Sequence, residues 1–141
     1  MNVSVTLVTR QQDGDDVQET HIDSTGVLEQ RNDTWLLNYT EPKTEESGET
    51  AVKVRVYVDG LMMWRKGDIN AVMPLQVGKQ YNWKYETPYG LMEFPVKCER
   101  FNSKMTATGG RFFAAYTVGT AGDTADGMQC TMEISVKEVA Q

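Results

Sequence analysis

The stretch Met128-Gln129-Cys130-Thr131-Met132-Glu133-Ile134-Ser135-Val136-Lys137 decides the fold. Its apolar residues (Met128, Cys130, Met132, Ile134, Val136) and its polar ones (Gln129, Thr131, Glu133, Ser135, Lys137) alternate without a break. Successive side chains of a strand point to opposite faces, so a strand gathers the apolar set on one side, whereas a helix would scatter it. The same alternation recurs outward from this segment. Val52, Val54, Val56 and Val58 oppose Lys53, Arg55 and Tyr57; Tyr81, Trp83 and Tyr85 oppose Asn82, Lys84 and Glu86. Met92, Phe94, Val96 and Cys98 oppose Glu93, Lys97 and Glu99, and near the start Val3, Val5 and Leu7 oppose Ser4 and Thr6. These read as strands with one face packed and one face wet.

Composition agrees. Val, Thr and Ile total 33 residues, against 15 for Ala and Leu together. Cβ-branched side chains suit a pleated surface, while Ala and Leu are the best helix formers. Turn chemistry separates the strands at Asp13-Gly14-Asp15-Asp16, Asn32-Asp33, Ser47-Gly48, Asp59-Gly60, Lys66-Gly67-Asp68, Val77-Gly78, Pro88-Tyr89-Gly90 and Gly109-Gly110. Asp59-Gly60 is the expected two-residue hairpin. The polar stretches Glu41–Glu49 and Gly119–Gly127 read as surface loops. No linker or repeat divides the chain, so residues 1–141 are expected to form one domain. A flat sheet of so many strands would leave two edges open to aggregation, and closure removes them. The expectation is a single antiparallel β-barrel of about eight to ten strands.

The order of motifs is recognisable. Val52-Lys53-Val54-Arg55-Val56, the Asp59-Gly60 turn, Trp64-Arg65-Lys66-Gly67, Tyr85-Glu86-Thr87-Pro88-Tyr89-Gly90, and Gly110 followed by Tyr116 resemble the YwiB family of small bacterial proteins. The resemblance runs from about Val3 to Val136. It implies a calycin, or lipocalin-like, β-barrel and no particular reaction. Met73-Pro74-Leu75 departs from the family pattern, as does the acidic stretch around Asp123 and Asp126.

Charge and motif content exclude several functions. A net charge of −6 and a pI near 4.8 argue against binding nucleic-acid backbone or an anionic membrane. No apolar run has the length of a membrane helix, and the N-terminal residues lack the flank and core of a signal peptide, so the expected location is the cytoplasm. Cys98 and Cys130 follow apolar parity and are expected to be buried, reduced thiols. His21 alternates with Glu19 and Asp23, a spacing that a metal site could use and that a solvated strand face produces equally. With one histidine, no Gly-rich phosphate loop, and paired carboxylates such as Asp15-Asp16 and Glu45-Glu46 only in loops, neither an enzyme nor a cofactor or metal site is expected.

The informative residues are aromatic. Trp35, Tyr39, Trp83 and Tyr85 lie on strand faces expected to point inward, with Arg65 at a strand end nearby. Either these rings fill the barrel, or they line a cavity for a small apolar or amphipathic ligand whose acidic group meets Arg65. In the first case Arg65 would form a turn-side salt bridge with Asp68 or cap a barrel end, and the protein would be a packed structural or partner-binding module, a homodimer being one form of it.

Overall fold

A computed structural model describes residues 1–43, 48–120 and 123–139. Ten strands follow one another: β1 (Asn2–Asp13), β2 (Asp16–Arg31), β3 (Thr34–Glu41), β4 (Thr50–Val56), β5 (Gly60–Lys66), β6 (Asn70–Gln76), β7 (Gln80–Thr87), β8 (Gly90–Thr106), β9 (Gly109–Thr120) and β10 (Asp123–Glu138). Each pairs antiparallel with the next, and β1 pairs with β10 from Val3↔Glu138 to Gln12↔Gln129, closing the barrel. The all-β, closed antiparallel architecture is the one the alternation predicts. Among the described residues, no helix is long and apolar enough to cross a membrane.

Parity survives closure because the interior takes every second residue. The middle of the barrel is filled by Leu7, Leu37, Val54, Met63, Met73, Phe112, Met132 and Ile134, all essentially inaccessible. A deep, open apolar calyx is therefore not what the inward residues build. On β8 the inward set changes phase. A register shift between Cys98 and Arg100 moves the inward side from Phe94, Val96 and Cys98 to Phe101, Ser103 and Met105. At this bulge Glu99 Oε1 accepts a 2.7 Å hydrogen bond from Thr117 Oγ1. A bulge inserts one residue and so flips every later side chain, which alternation alone does not forecast.

Several local expectations change. Tyr81, on the expected packed face of β7, is exposed, and Gly109-Gly110 open β9, the reversal lying at Ala107-Thr108. Val58 does not belong to the packed face: it is 91% exposed, because the β4–β5 reversal is Val58-Asp59, closed by the Tyr57 N–H donating to Gly60 O at 2.9 Å. Gly60 itself is strand, where a Cβ would lie 1.9 Å from the Leu75 carbonyl oxygen, so the glycine serves close approach of β5 to β6 and not the turn. Met92, on the expected packed face, is exposed near the start of β8. Most of the stretch Gly119–Gly127 is strand, shared between the end of β9 and the start of β10. Ser47 and the Glu45-Glu46 pair lie outside the described residues, as do the side chains of Asp123 and Asp126. Cys98 and Cys130 are buried and unpaired by disulfide; burial raises both thiol pKa values, that of Cys130 to about 11.

Gly60→Ala is expected to destabilise the protein by about 1–3 kcal/mol through backbone overpacking, while Val58→Thr stays within about 0.5 kcal/mol. Urea denaturation midpoints of the two variants check the displaced turn.

Candidate functional site

In an up-and-down barrel every other connection lies at the same end. The connections β1–β2, β3–β4, β5–β6, β7–β8 and β9–β10 share one end, and polar side chains enter the interior there. Cross-strand pairing sets Tyr39 beside Val52, Val52 beside Arg65, Arg65 beside Ala71, and Ala71 beside Tyr85. Small or slim neighbours make this possible. Tyr39 faces Gly26 on β2, where a Cβ would approach the Tyr39 Cβ to 2.8 Å.

Arg65 is the charged centre. Its Nε donates to Glu41 Oε1 at 3.1 Å and its Nη2 to Glu41 Oε2 at 3.4 Å, with the two side chains only 24% and 15% exposed. Burial alone would lower the guanidinium pKa; Glu41, with smaller contributions from Tyr39 and Tyr116, more than reverses that, so the group stays charged. Asp68, the partner expected from the turn, instead accepts the Gly48 N–H at 2.9 Å. Three phenols feel this charge. Burial raises Tyr39 well above the usual phenol range, with Glu41 adding to the rise and Arg65 opposing it. Burial likewise raises Tyr116, with Cys130 adding and Arg65 opposing, and pushes Tyr85 up to about 12 against the pull of Arg65. All three therefore keep their protons at neutral pH, so each carries an O–H that can donate.

Aromatic stacking continues the site along β7 and β8. Trp83 and Tyr85 have ring centroids 4.8 Å apart, and Tyr85 meets Phe94 edge-on at 5.9 Å. Among the described residues, two polar atoms in this region are buried without a hydrogen-bond partner: Tyr39 Oη and Trp83 Nε1. Leaving such a group unmet costs about 1–3 kcal/mol, and native interiors rarely do so.

The structure thus brings together Tyr39, Arg65, Trp83 and Tyr85. Trp35 does not join them: it lies four residues back along β3 from Tyr39, about 13 Å at ~3.3 Å per residue, opposite Val56. Glu41 and Tyr116 were missed by the sequence reading. Glu41 shares the parity of Trp35, Leu37 and Tyr39, and Tyr116 that of Phe112 and Ala114; an acid on a packed face was the available signal. His21 lies outside this group. It is exposed with Nε2 2.7 Å from Glu19 Oε1, while Asp23 accepts from Thr6 Oγ1 at 3.1 Å. Among the described residues, no three His, Cys, Asp or Glu side chains are grouped to hold a metal.

Fold and site define a small closed antiparallel barrel whose interior is apolar in the middle and polar, with hydrogen-bond donors, toward one end. The chain belongs to the family described as Domain of unknown function (DUF1934), whose model matches residues 4–134. Among solved structures, it is similar to the crystal structure of the ywiB protein from Bacillus subtilis: TM-score 0.86 at 16% identity, over 99% of this chain and 92% of that one. At that identity the likeness shows the fold, and it agrees with the family resemblance carried by Trp64–Gly67 and Tyr85–Gly90. No curated protein matches the chain.

Arg65→Met and Glu41→Gln are each expected to cost about 2–3 kcal/mol, below the ~3–5 kcal/mol of a fully buried pair because both side chains keep some contact with solvent. The double variant is expected to cost less than the sum, since it leaves no uncompensated charge. A double-mutant cycle in urea measures the difference.

Proposed function

We propose that this barrel is a non-catalytic binding module that takes one small amphipathic molecule at its polar end. The observation that carries this reading is the pair of buried, unpartnered atoms: Tyr39 Oη, which feels the charge of the half-buried Arg65, and Trp83 Nε1, whose ring centroid lies 4.8 Å from that of Tyr85. A bound group that accepts hydrogen bonds there would remove a cost that the protein otherwise bears alone. The ring faces of Trp83, Tyr85 and Phe94 supply apolar contact for the rest of such a molecule. The fully packed middle favours a ligand held near the end over one threaded through the barrel. Two free, buried thiols suit a reducing compartment, in keeping with a cytoplasmic location.

A second reading has its own observation. Tyr89 is fully exposed at the β7–β8 turn, with exposed Leu91 and Met92 following it. Such a patch suits contact with a partner or a second copy of the chain.

Native mass spectrometry of the protein purified without denaturation separates the two. The binding reading expects a monomer carrying a co-purified organic molecule, or one that takes up medium-chain amphiphiles one-to-one and loses that capacity in Tyr39→Phe/Trp83→Phe. A bare dimer that takes up none of them would overturn it in favour of the interaction module.

A further inference from the structure

The polar end of the barrel contains an asymmetry that binding alone does not explain. Tyr39, Tyr85 and Tyr116 are protonated phenols, Trp83 Nε1 only donates, and Arg65 carries five N–H donors of which Glu41 engages two. Among the described side chains, the acid that meets these donors is Glu41. We propose that Glu41 is an internal stand-in for the ligand's head group, which is a carboxylate, and that the ligand binds by displacing it from Arg65. The inference rests on the binding reading above and adds the chemistry of the ligand.

Three features support it. Glu41 meets Arg65 through both carboxylate oxygens on the Nε–Nη2 side, the two-point geometry in which a guanidinium receives a free carboxylate. The two contacts, 3.1 and 3.4 Å, are longer than the ~2.7–2.9 Å of a strong charge-assisted bond. Glu41 is also the last residue of β3, at the end of the barrel, so its side chain has a short way to go to water. Without a ligand it spares the half-buried Arg65 the cost of being an unpaired cation. Once a ligand carboxylate arrives, the two acids cannot share the guanidinium without like-charge repulsion, and the one with an apolar body to bury has the advantage.

Calorimetric titration with octanoate and with 1-octanol, which share a chain and differ in the head, tests this. Glu41→Gln removes the competing charge and is expected to tighten octanoate about tenfold, the worth of one released charge-assisted contact, while 1-octanol binds as it does to the unaltered protein. Glu41→Asp, one methylene shorter, should shift octanoate in the same direction by less, and it serves if Glu41→Gln does not fold. Octanoate affinity that is unchanged or weaker in the folded variants, with 1-octanol still bound, overturns the stand-in role and leaves the binding reading intact. Failure of both compounds to bind any form overturns the binding reading, and this inference with it.

Discussion

Everything in this molecule depends on the β1–β10 ladder. It joins Val3 to Glu138 and continues to Gln12 opposite Gln129, so the two ends of the chain complete the ring. Without it the ten strands are a sheet with two bare edges and one apolar face in water. With it, each strand has two neighbours and the alternate residues acquire an inside. The cost is entropic: the closing contacts join residues far apart in sequence, and that loop must be ordered before the contacts repay it. Closure also fixes the interior volume, which Leu, Met, Phe and Ile side chains fill through the middle.

That packed middle gives the polar end its character. A guanidinium three-quarters withdrawn from water needs a counter-charge, and Glu41 provides one at the strand end where some solvent still reaches. Gly26 opens the wall opposite Tyr39, and Ala71 stands between Arg65 and Tyr85. Small residues on β2 and β6 thus make room for large polar ones on β3, β5 and β7. The unmet Tyr39 hydroxyl and Trp83 indole N–H are the part of this arrangement that stability does not account for. Departures of this kind in native folds fall mainly at functional or strained sites, which supports the proposed binding reading.

Period-2 alternation reads out a half-buried strand directly, so residues 128–136 and 52–56 reveal both strand and face in the bare sequence. It is blind to where a strand ends. Val58 continues the pattern of β4, yet the chain reverses at Val58-Asp59 because Gly60 is needed in β5 against the Leu75 carbonyl. It is equally blind to a bulge, which reverses the phase of β8 after Cys98 without any change in residue type. Of the site, Tyr39, Arg65, Trp83 and Tyr85 were legible because aromatic residues on an inward face, and a cation at its end, stand out. Trp35 stood out for the same reason and lies elsewhere, since parity gives a face but not a height along the barrel. Glu41 was passed over because an acid near a polar loop looks solvated; its partner sits two strands away, on β5.

The most direct test of a ligand-receiving barrel end is a high-resolution crystal structure of the protein purified without denaturation or added ligand. Well-defined density for an organic molecule between the Trp83–Tyr85 rings and Arg65, with an acceptor atom about 3 Å from Tyr39 Oη or Trp83 Nε1, is the expected result. Rings closed on one another around those atoms, with each one satisfied by a protein group or an ordered water and no room for more, would contradict it.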